Sequence, residues 1–193
     1  MKYTLKFKYL LVAAGIFIYS CNNSESKPET TESKDTADKV NEEKMKADND
    51  ALANADFVSA AVANNYAELS LAKLAGKKSK NTNIKKIAST LEKQHGEFID
   101  QLKTYAGTHN ITIPAEETAE AKEKAKTIED DKNFDKAWCD YLVTAHQNSI
   151  KKFEDFSTKT TDESLRKWIN EALPKMKMHL SMLQEQATYL EKK

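Results

Sequence analysis

Three histidines and one glutamate occupy positions where helical spacing calls for apolar side chains. His95 interrupts the run Ile84, Ala88, Leu91, Phe98, Leu102 and Tyr105, whose steps of three and four mark one helix face. His179 holds the same kind of position among Leu165, Ile169, Ala172, Met176, Leu183 and Leu190. His146 lies beside Leu142, Ile150 and Phe153, and Glu68 lies between Ala61 and Ala72. A charge on a buried face is costly unless it is paired or bound to metal. Imidazole suits zinc, copper, iron or nickel, so Glu68, His95, His146 and His179 are candidate ligands for one divalent transition-metal ion. The same four groups can also form a metal-free polar network that fixes helix register. Glu92, one turn before His95, and Glu154, about 80° round the helix from His146, are candidate accessory groups.

Other chemistries are poorly provided for. A di-iron carboxylate centre needs Glu-x-x-His on two helices. Glu92-Lys93-Gln94-His95 supplies one such motif, but Val143 and Met176 stand three residues before the other two histidines. No nucleophile–base pair or phosphate loop is evident, which points away from an enzyme. Cys139, in Trp138-Cys139-Asp140, has an acidic neighbour that disfavours a reactive thiolate and reads as structural.

The elements that must position these residues are helices. Gly and Pro are scarce and β-branched residues do not alternate. Apolar periodicity predicts helices over about 48–77, 83–106, 134–157 and 162–190, the last kinked at Pro174. Asp131 or Asn133 is expected to cap the third helix, and Thr161 or Asp162 the fourth. Residues 107–133 form a long connector between helices two and three, with a short exposed helix near 116–129. The expected fold class is all-α: a four-helix bundle spanning 48–193.

Helix rise tests whether the four polar residues can meet. Glu68 and His95 lie about 13 and 18 Å from the turn joining the first two helices. If the connector crosses the bundle, His146 and His179 lie about 18 and 11 Å from that same end. If it does not cross, His179 falls about 26 Å away and leaves the cluster. A shared site therefore favours the ferritin-like crossover topology.

The N-terminus carries an address. Lys2, Lys6 and Lys8 precede an apolar run from Tyr9 to Ile18 that is too short to span a bilayer. Ile18-Tyr19-Ser20-Cys21 resembles the bacterial lipobox. Residues 1–20 are thus expected to be a cleaved lipoprotein signal peptide, with Cys21 as the lipidation site. Acyl chains contribute about 0.8 kcal/mol per buried methylene, and stable anchoring takes more than one chain. Residues 22–47 are polar and read as a flexible tether with a reach of about 30 Å. Asn22 lacks the acidic character associated with inner-membrane retention, so the expected place is the outer membrane, facing the periplasm. Loss of the three leader lysines leaves 27 basic against 30 acidic residues, a net of −3. No basic patch suggests nucleic acid as a partner. The partners expected are the membrane, through lipid, and a protein or metal.

The segments Asp56-Phe57-Val58, Glu68-Leu69-Ser70-Leu71, Leu91 to His95 with Leu102, Gly107 to Pro114, Phe134-Asp135, Leu142 to His146, Phe153-Glu154, Leu173-Pro174 and His179-Leu180 resemble an exported ferritin-like family, domain of unknown function 4142. The resemblance covers roughly residues 54–190. It implies a ferritin-like fold and an envelope location. The family pattern usually has Asp before each mid-helix histidine, where this chain has Gln94 and Ala145. The primary expectation is a non-enzymatic envelope lipoprotein, a binding or structural module. The alternative is a metal-binding protein that uses the Glu/His cluster in the bundle interior.

Overall fold

The computed structural model describes residues 27–192. The expected leader, Cys21 and the residues up to 26 lie outside the described residues. Among the described residues the chain is all-α apart from one short parallel pairing. Its elements are β1 (Thr30–Thr31), α1 (Lys34–Met45), α2 (Asn49–Lys78), α3 (Thr82–Thr108), β2 (Ile113–Pro114), α4 (Ala119–Glu129), α5 (Phe134–Ser157) and α6 (Glu163–Glu191). No described helix is long and apolar enough to cross a membrane.

The segment expected to be tether as far as residue 47 is folded from Thr30 onward, and this moves the domain boundary forward from residue 48. β1 pairs with β2 in parallel, and α1 packs on α2. Composition misleads here because α1 is held by polar bonds rather than by apolar area. Ser33 caps α1 by accepting from the Thr36 N–H. One turn apart, Ala37 and Asn41 are both fully buried. The Asn41 amide mimics a strand edge: Nδ2 donates to the Thr112 carbonyl at 2.9 Å and Oδ1 accepts from the Thr112 N–H at 2.8 Å. Asn41→Ala is expected to orphan both Thr112 groups and cost about 1–3 kcal/mol. Thermal unfolding would show that loss, and limited proteolysis would show earlier cleavage before α2.

The four long helices follow the predicted spans closely. Asp48, Asn81 and Asp162 cap α2, α3 and α6 by accepting backbone N–H groups, each such cap contributing about 1 kcal/mol. Asn133 precedes α5 without a side-chain cap bond, so that expected cap is not formed. α3 continues past Gly107, and α6 runs as one helix through Pro174.

The connector crosses the length of the helices. It leaves α3 beside the start of α2, where Ile111 and Ile113 join the core with Ala55 and Val58. Midway, Ser70 donates to Glu117 at 2.9 Å. At the far end Lys78 binds the Glu129 carbonyl and lies over the Phe134 ring. α5 therefore starts at the α2–α3 turn and runs parallel to α3. α6 then starts at the opposite end, where Thr160 donates to Asn54 and Tyr105 to Asp162.

This path stacks two apolar clusters. One holds Val58, Val62, Phe98, Leu102, Phe153, Leu165, Ile169 and Met176. The other holds Leu71, Ala75, Ile84, Leu91, Trp138, Leu142 and Leu183. In every long helix the change from one cluster to the other falls at a polar residue: Glu68 in α2, His95 in α3, His146 in α5 and His179 in α6. A single polar layer thus divides the core.

Candidate metal centre

The polar layer brings together all four residues that helical spacing singled out. Glu68 is 7% exposed and His95 3%, and His146 and His179 are fully buried. Glu68 Oε2 lies 3.1 Å from His95 Nε2 and 3.2 Å from His146 Nε2. His146 Nε2 lies 3.3 Å from His179 Nδ1. One nitrogen from each of the three imidazoles falls within 4.8 Å of the others.

The outer nitrogens decide what the inner ones can do. His95 Nδ1 meets Asn65 Oδ1 at 2.7 Å. The Asn65 orientation is set by its Nδ2, which donates to the Ala61 carbonyl at 2.8 Å. His146 Nδ1 meets the Leu142 carbonyl at 3.0 Å, and His179 Nε2 meets Gln94 Oε1 at 2.8 Å. All three partners are oxygens that only accept, so each outer nitrogen carries the proton. A ring in its neutral form has one N–H, and its bare lone pair then lies on the inner nitrogen: Nε2 of His95 and His146, Nδ1 of His179. These lone pairs face one another and a carboxylate oxygen. Glu68 Oε2 and His95 Nε2 accordingly have no hydrogen-bond partner despite being buried. Acceptors packed against acceptors call for a cation between them, either a proton on one ring or a metal ion.

Electrostatics make the same demand. Burial pushes the Glu68 carboxyl up, but the imidazoles of His146, His95 and His179 outweigh it and hold the group below its usual range, at about 2. Burial pulls His146 below the ordinary histidine value, with Glu68 opposing. Burial, together with His95 and His146, pulls His179 down to about 3. A carboxylate kept anionic beside His146 and His179, both held toward the neutral form, favours a cation in this layer. The spacing suits a metal ion. For ligand bonds of 2.0–2.1 Å, a tetrahedron has edges of about 3.3–3.4 Å. Three of the six edges, at 3.1, 3.2 and 3.3 Å, are close to that, and the three imidazole nitrogens lie within 4.8 Å of one another.

The two accessory candidates do not join. Glu92 is exposed, because it sits 100° round α3 from the buried Leu91. Glu154 points outward and pairs with Lys177 at 2.7 Å. Sequence reasoning missed Asn65 as the group that orients His95. It singled out Gln94 only as a departure from the family pattern, whereas here Gln94 fixes the His179 tautomer. The spacing Asn65-x-x-Glu68 was the available signal, since i and i+3 share a helix face. Cys139 is buried and free, and burial with Asp135 and Asp140 pushes its thiol up to about 12, as suits a structural residue.

A family profile described as "Domain of unknown function (DUF4142)" matches residues 37–185. The chain belongs to the DUF4142 family. The match begins inside α1, so the N-terminal helix is part of this DUF4142 domain. A solved structure titled "CopM in the Cu(II)-bound form" is similar at a TM-score of 0.62 and 15% identity, over 70% of this chain and 96% of that one. At that identity the likeness shows a shared helical fold. No curated protein matches this DUF4142 chain.

Proposed function

We propose that this chain binds one transition-metal ion, copper in preference to others, through Glu68, His95, His146 and His179. The reading is carried by one observation: three imidazole nitrogens and a carboxylate oxygen converge while every outer imidazole nitrogen already meets an oxygen acceptor. Acceptors that bind the outer N–H of a metal-bound histidine orient the ring and raise its basicity. Copper(II) heads the divalent affinity order for nitrogen and oxygen sites. The likeness to a protein titled as Cu(II)-bound supports the same choice. Buried ligands favour holding an ion over turning over a substrate, so the proposed role is non-enzymatic: storage, buffering or delivery.

The remaining parts of the proposal are architectural and locational. We read the crossing connector as a ferritin-like bundle topology. The basic and apolar leader with the Ile18-Tyr19-Ser20-Cys21 sequence supports an outer-membrane lipoprotein facing the periplasm. The test is metal analysis of the full chain, purified without chelators from cells grown with copper, zinc and iron. Wild type should hold a single copper ion per chain, and His95→Ala and His179→Ala only traces. Trace metal in all three would leave the four residues as a register-fixing polar network.

A further inference from the structure

A small cavity adjoins the polar layer on the side of the apolar cluster that holds Val62, Phe98 and Met176. It offers about 10 Å³ to the centre of a water-sized molecule, room for one. Glu68 and His95 of the polar layer line it together with Met176, Phe98 and Phe153. Met176 is 5% exposed and lies one turn before His179 on α6. Its thioether is the soft donor bordering this cavity, on a side chain with three rotatable bonds. Soft thioethers suit Cu(I).

Charge balance points the same way. Three metal-bound imidazoles are neutral and Glu68 carries one negative charge. A monovalent ion therefore neutralises the centre completely. A divalent ion leaves one positive charge in a layer nearly closed to solvent, which is costly.

We propose that the same centre takes copper as Cu(I), with Met176 turning into the adjoining cavity to supply its sulfur as a ligand. This rests on the metal-binding reading and adds to it the oxidation state and the residue that sets it. Copper enters already reduced, so no electron transfer is required of the protein.

The experiment compares wild type with Met176→Leu, a volume-conserving change that cores tolerate well. The metal-free full chain is titrated anaerobically with Cu(I) against the chromophoric chelator bicinchoninate, and separately with Cu(II). Met176→Leu should weaken Cu(I) binding about tenfold or more, the loss of one good ligand contact, and leave Cu(II) binding unchanged. Copper-edge X-ray absorption of the Cu(I)-loaded wild type should show a sulfur neighbour that the variant lacks. Equal Cu(I) affinity in both proteins, or the same sulfur signal in both, overturns the role of Met176. Uptake of Cu(II) with none of Cu(I) overturns the inference and leaves the metal-binding reading standing. Uptake of neither overturns both.

Discussion

Glu68→Gln is expected to make the metal-free protein more stable while abolishing metal binding. The Glu68 Oε2 atom is buried, has no hydrogen-bond partner, and faces Nε2 of both His95 and His146. A glutamine amide places an N–H where an acceptor now meets acceptors, and it removes the buried charge. Supplying a donor to an orphaned buried acceptor is worth about 1–3 kcal/mol. For a chain of this size each kcal/mol moves Tm by about 2–4 °C. The same change removes the anionic ligand. Loss of a second-shell partner alone costs about 10–100-fold in metal affinity, so loss of Glu68 should exceed about 100-fold. Thermal scans with and without copper check both halves. The sign is diagnostic. If Glu68 were instead one member of a structural ion pair with a protonated imidazole, removing its charge would leave that partner buried and unpaired, and stability would fall by about 3–5 kcal/mol.

The second large effect is with acid. Burial, with His95 and His146 beside it, holds His179 at about 3 in the folded chain, against about 6.5 when unfolded. The unfolded chain therefore takes up this proton first. The stability tied to neutral His179 is complete above about pH 6.5 and is lost as pH falls toward 3. Each such proton contributes a slope of at most about 1.4 kcal/mol per pH unit. Burial lowers His146 in the same direction and adds to the slope. Urea unfolding of the metal-free chain between pH 7.5 and 4.5 should show stability falling steadily, with a shallower fall in His179→Gln. Bound copper should shift the fall to lower pH, because the proton and the metal compete for one lone pair. Stability unchanged across that range would mean that neither imidazole is held neutral by its surroundings.

How far the centre could be read from sequence depended on the kind of signal each residue carries. His95 and His179 stood out because a helix period of 3.6 turns a single polar substitution in an apolar stripe into a statement about burial. Their meeting with Glu68 and His146 needed one further fact, the direction of the connector. Helix rise then converted that into a common depth. The Ser70–Glu117 and Lys78–Glu129 contacts supply the direction. Glu92 and Glu154 misled because proximity along a helix is not proximity across a bundle, and both lie off the buried stripe. Asn65 and Gln94 were not legible as tautomer-fixing groups. Their role depends on which amide oxygen reaches which ring nitrogen, and spacing alone does not encode that. α1 escaped for a related reason: the Asn41 amide does the work of apolar area, and composition counts it as tether.

The central claim is that one metal ion sits among Glu68, His95, His146 and His179. Diffraction from crystals of the copper-loaded full chain, collected on both sides of the copper absorption edge, tests it most directly. The account predicts one anomalous peak within the polar layer, about 2.0–2.1 Å from His95 Nε2, His146 Nε2 and His179 Nδ1 and within bonding distance of Glu68 Oε2. A layer without anomalous density, its imidazoles bridged by protons or water while copper sits on the surface or is absent, would contradict it.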